Sequence, residues 1–182
     1  MRFLSPLRAL AAAALLSGGF STSWAVPIAW DGGASPNNNW YDAVNWAGDV
    51  VPGAADDVTI DVSVMVTVSV TSPAINFQSL VLGGVSNSTL TISTGIVGGY
   101  LEIRNNATLI QDTLVELQLT SVTVLSGGLI DHINGGAAKV NIVTTGDFTL
   151  TGGASIDVDG DGFNGGGAGS PTGAAGSGTR PG

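Results

Sequence analysis

Cysteine is absent from the chain. No disulfide can staple the fold, and no thiolate is on hand as a nucleophile or a zinc ligand. Basic residues are scarce: five Lys and Arg stand against fourteen Asp and Glu, for a net charge of −9. Such a surface repels nucleic-acid phosphates and anionic headgroups, so neither is expected as a partner. Histidine occurs once, as His132 in Asp131-His132-Ile133-Asn134. Adjacent residues of a strand point to opposite faces, which separates the Asp–His pair. No serine sits in Gly-x-Ser-x-Gly either. Catalytic residues are therefore expected to be absent. Apolar runs long enough to span ~30 Å of hydrocarbon are missing too.

The first residues combine Arg2 and Arg8, an apolar stretch from Ala9 to Leu16, and small residues ending in Ser23-Trp24-Ala25. That order is the pattern of a secretory signal peptide covering residues 1–25. Cleavage after Ala25 would leave three basic residues, Arg104, Lys139 and Arg180, against fourteen acidic ones. The expected product is secreted or held at a bacterial cell surface, and does not span the membrane.

The chain holds 28 Gly, nearly all of them after residue 25, and the remainder is also rich in Val, Ile and Thr. Strands separated by tight turns follow from that composition. Residues 26–57 are dense in Trp, Asn, Gly, Asp and Pro. Residues 58–158 form a train of short β-like runs, and residues 159–182 are dominated by Gly, Ala, Ser, Thr and Pro. The last zone is expected as a flexible tail or the start of further repeats. A Gly-rich end without a closing cap also suggests a piece of a longer protein.

The middle zone repeats. An apolar–any–apolar triplet recurs as Val58-Thr59-Ile60, Leu80-Val81-Leu82, Leu101-Glu102-Ile103, Val122-Thr123-Val124 and Phe148-Thr149-Leu150. Another apolar residue follows six positions after the triplet in three copies: Leu109, Ile130 and Ile156. Further runs lie between, such as Val66-Thr67-Val68 and Val115-Glu116-Leu117. A coil of about 21 residues cannot bury its own inner face, but stacked coils at ~4.8 Å can. The expected fold is all-β: a right-handed parallel β-helix of roughly five coils with an aromatic N-terminal cap. The longer last step is read as an insertion at Gly135-Gly136-Ala137-Ala138. The competing architecture is an antiparallel β-sandwich, whose strands also recur every 8–12 residues.

Trp30-Asp31-Gly32-Gly33, Asn39-Trp40-Tyr41-Asp42, Asn45-Trp46, Val51-Pro52-Gly53 and Asp56-Asp57 precede the first triplet. In residues 28–62 the chain resembles the opening segment of large bacterial secreted β-helix proteins, of the autotransporter-passenger or filamentous-adhesin kind. That resemblance implies a structural or adhesive surface protein whose partner is an extracellular glycan or a host or cell surface. Polysaccharide-degrading enzymes of the pectin-lyase-like fold use the same architecture, so a carbohydrate-binding or polysaccharide-degrading module is the alternative. A hydrolase would need converging carboxylates, for which Asp131 and Asp157 sit at equivalent offsets.

Trp30, Trp40 and Trp46 admit two roles. They cover the open end of the first coil, or they stack on sugar rings, since aromatic faces suit pyranose CH groups. Asp157, Asp159, Asp161 and Gly162 form Asp-x-Asp-x-Asp-Gly, the opening of a calcium loop. The position for its bidentate Glu is Ala168. A structural Ca²⁺ is the one cofactor this pattern suggests.

Overall fold

The computed structural model describes residues 25–133 and 138–159. Most of the expected signal peptide, the Gly-rich tail beyond Asp159, and Asp161 lie outside these residues.

Every strand pairing among the described residues is parallel. The architecture is a β-solenoid of about four turns, not an antiparallel sandwich. Five triplets bound four steps, which is why the turns number four where about five were expected. One sheet runs β1 (Pro27–Ala29), β2 (Asp57–Ile60), β4 (Ser79–Leu82), β6 (Val97–Ile103), β8 (Leu117–Val124) and β10 (Ile142–Thr144), with β11 (Phe148–Leu150) also on β8. The other runs β3 (Met65–Val68), β5 (Ser88–Ile92), β7 (Ala107–Gln111), β9 (Leu129–His132) and β12 (Ser155–Ile156). No described helix is long and apolar enough to cross a membrane.

The triplets are the register. Val58 pairs with Leu80, Leu80 with Leu101, Leu101 with Val122, and Val122 with Phe148. Alternation buries the first and third residue of the first four triplets, while Phe148 and Leu150 of the last stay 38 % and 43 % exposed. Leu80, Leu82, Leu101, Ile103, Val122 and Val124 are fully buried. The second sheet repeats this with Val66, Leu90, Leu109 and Ile130, all fully buried. Each buried aliphatic contributes ~1.5–3 kcal/mol, so the two facing ladders form the core.

A coil has a third side. In β8, Leu117 and Leu119 are buried, then Val122 and Val124, so the inward parity switches at Thr120–Ser121. In β6 the ladder pairs Gly98 with Leu119 and resumes at Tyr100 with Ser121. The strand turns a corner there, and Ile75, Phe77, Ile96, Leu117 and Leu119 form the buried lining before it. Gly99 permits that corner: a Cβ on it would lie 1.9 Å from the Gln78 carbonyl oxygen. Replacing Gly99 with Ala is expected to lower the melting temperature by several degrees, because backbone must shift to admit the methyl. Gly152→Ala, where a Cβ meets nothing within 4 Å, is the thermal-melt control.

The long last step divides in two. Leu117 pairs with Ile142, 25 positions on, but Val122 pairs with Phe148, 26 positions on. Four extra residues therefore fall between β9 and β10; of the expected insertion, Gly135, Gly136 and Ala137 lie outside the described residues. The fifth is a bulge at Thr145–Asp147, where Thr145 and Gly146 donate to the carbonyls of Leu119 and Thr120.

Candidate functional site

The N-terminal rim is closed by the segment before the coils. β1 pairs with β2, and the Asn38 carbonyl and Trp40 amide pair with Thr67 of β3. Both sheets thus have their first edge covered. Trp46 packs edge-on against Trp30 at 4.9 Å and against Trp40 at 4.7 Å between ring centroids. Its indole nitrogen donates to the Trp40 carbonyl at 2.7 Å. Trp30 is 4 % exposed, and Trp40 and Trp46 are 0 % exposed. Trp40 and Trp46 are enclosed by the cap, while Trp30 also lines a smaller open pocket with Asp31, Ser35, Asn38 and Val64. Asn45, also fully buried, donates through its amide to the carbonyls of Asn37 and Asn39 and accepts from the Ala34 amide. It fixes the turns that deliver the rings.

Several of the acidic residues serve backbone, while Asp57 and Asp112 accept from the hydroxyls of Ser79 and Ser93. Asp61 accepts from the Val85 and Ser86 amides across the coil, and Asp56 accepts from Gly53. Asp131 accepts from the His132 amide, while the His132 ring contacts the Ile133 carbonyl through Nδ1. Asp157 accepts from the Asp159 amide. Ile130 and Ile156 are ladder partners, so Asp131 and Asp157 belong to successive coils, as their spacing implied. Among the described residues no three His, Asp or Glu side chains converge on a metal position. Of the suggested calcium set, Asp157 and Asp159 are placed in one turn, and Asp161 falls outside the described residues.

A polar ladder follows the corner on the outer face of the first sheet. With Leu101 and Ile103 inward, Tyr100, Glu102 and Arg104 face outward. The Tyr100 hydroxyl donates to Glu102 Oε2 at 2.6 Å, and Arg104 Nε donates to Glu102 Oε1 at 2.5 Å. The Tyr100 hydroxyl first, then the Arg104 guanidinium, stabilises the carboxylate and lowers the Glu102 pKa against the opposing effect of burial. Burial, then the bond to Glu102, raises the Tyr100 pKa. A lowered carboxylate pKa stabilises the fold above the ordinary range and loses that contribution as the pH falls through the lowered value. Denaturant midpoints at pH 7 and pH 3 should therefore differ less in Glu102→Gln than in the wild type.

Beside this ladder lies a groove of about 540 Å³, open to solvent. Ala54, Asn76, Gln78, Val97, Gly98, Gly99, Tyr100 and Thr120 line it over the buried Phe77. Sequence reading missed it. The available signal was Val97-Gly98-Gly99-Tyr100, two glycines ahead of an aromatic inside an otherwise aliphatic repeat.

Comparison with protein-family models, with curated proteins and with solved structures gave no match. The fold and the side-chain geometry are the basis for function.

Proposed function

We propose that this chain is an exported, non-catalytic segment of a structural or adhesive surface protein, a β-helix stalk or passenger secreted or displayed by a bacterium. The observation that carries this reading is the unbroken register of the triplets from Val58 to Phe148. A parallel ladder with continuous aliphatic interiors makes a stiff rod, and stacked repeats give an extended lateral surface for contact. The N-terminal signal pattern supports export. The use of Asp56, Asp61, Asp131 and Asp157 as backbone acceptors supports a structural role for the acidic residues. Its partner in this reading is an extracellular glycan or a host or cell surface.

The alternative, a carbohydrate-binding or polysaccharide-degrading module, is favoured by the open groove beside Tyr100. Purified protein lacking residues 1–25, incubated with bacterial, host and plant cell-wall material, separates the two. Retention on a surface without release of reducing ends is expected. Release of reducing ends in proportion to added protein would overturn the non-catalytic reading, and no retention on any surface would overturn the adhesive one.

A further inference from the structure

We infer that the groove at the Gly98–Gly99 corner is a binding site for a neutral oligosaccharide chain, with Tyr100 as its stacking platform. The inference rests on the extracellular glycan partner that the adhesive reading and its carbohydrate-binding alternative share, and gives that partner a ligand class and an address. Packing accounts for the two glycines. A Cβ on Gly98 would lie 2.7 Å from the Phe77 ring, and one on Gly99 would strike the Gln78 carbonyl. Packing does not account for what surrounds them. Val97 stands 49 % exposed at the groove wall. The Asn76 and Gln78 side chains are exposed at its rim and make no hydrogen bond among the described residues. Each offers a carbonyl acceptor beside an NH₂ donor, the pair that vicinal hydroxyls match.

Tyr100 is the single aromatic on the outer face of this sheet among the described residues. Its ladder neighbours are Ser79 and Ser121, both small, so adjacent coils leave room beside the ring. The bond from its hydroxyl to Glu102, itself held by Arg104, fixes the ring's direction without covering it. An apolar floor, one oriented aromatic and two unengaged amides are the groups that bind sugar CH faces and hydroxyls. The volume falls within the ~300–1,000 Å³ of small-molecule sites, and the open side lets a chain pass through. Charge selects a neutral chain. The net charge of −9 disfavours polyanions, and Arg104, the one Arg among the described residues, is already paired with Glu102.

The test is calorimetric titration of the protein with neutral gluco-, manno- and xylo-oligosaccharides, and with oligogalacturonate as the charged arm. At least one neutral series is expected to bind. Tyr100→Ala should weaken it tenfold or more, Tyr100→Phe should keep most of it, and Val97→Trp should block it by filling the groove. Asn76→Ala and Gln78→Ala, at exposed side chains, should each weaken it severalfold while far-UV circular dichroism stays unchanged. Undiminished binding by both Tyr100→Ala and Val97→Trp would overturn the assignment, as would a preference for oligogalacturonate. Retention on cell surfaces with no oligosaccharide bound would overturn the groove and leave the adhesive reading standing. Absence of both would overturn the two together.

Discussion

Replacing Leu101 with Asp is expected to abolish folding. Leu101 is fully buried in the middle coil, with Leu80 below it and Val122 above it in register. Truncating such a side chain costs about 2–5 kcal/mol. A carboxylate in its place has no cationic partner inside an aliphatic ladder, so several kcal/mol more are lost to desolvation or to forced protonation. Stability for domains is about 5–15 kcal/mol in total. The position magnifies the damage, because each coil contacts only its neighbours and the middle coil joins the two halves. Loss of the β-type circular dichroism signal and of a cooperative urea transition should follow. Thr108→Asp, on an outward position of β7, should change the urea midpoint little.

Trp46→Ala carries the second large effect. The substitution removes both edge-on ring contacts and leaves the buried Trp40 carbonyl without its indole donor. Truncation of a buried Trp costs about 3–5 kcal/mol. The loss should begin at one end. Residue-resolved amide exchange should show β1, β2 and β3 losing protection first, because β1 of the cap segment pairs with β2, and Asn38 and Trp40 pair with Thr67 of β3. Two freed strand edges would also make the variant prone to association. A variant that keeps full protection and stability but loses glycan binding would instead make the tryptophans a recognition surface.

These two positions also show where the sequence was informative. Leu101 was legible because inward residues must recur once per coil: a fixed period of aliphatic triplets has no other use than a stacked ladder. The pairing of all five triplets confirms that reasoning at the level of individual residues. The tryptophans were legible as large apolar groups ahead of an open edge, but whether their faces were covered depended on Asn45 and the turns around it, which have no periodic signature. The corner at Thr120–Ser121 was half legible. Leu117 and Leu119 are out of phase with Val122 and Val124, and that slip in alternation marks a bend only once the strand is known to be continuous. The groove was least legible. It is made by atoms that are missing, at Gly98 and Gly99, between residues that the sequence separates by a full coil, Gln78 and Tyr100. The two-residue excess between β4 and β5 likewise interrupts the six-residue offset, and Asp61 of the preceding coil holds it by accepting from Val85 and Ser86.

Successive coils must add a constant increment of distance along the solenoid, and the absence of native cysteine makes that increment directly measurable. Thr59, Val81, Glu102 and Thr123 form one outward column across four strands. Spin labels on cysteine pairs anchored at position 59 and placed at 81, 102 or 123 should give mean separations rising in equal steps of ~4.8 Å, within the reach of the label arms. Equal steps establish parallel stacking of whole coils. Separations that fail to rise in that order, as they would if neighbouring strands ran in opposite directions, would contradict the ladder and the rod-like role built on it.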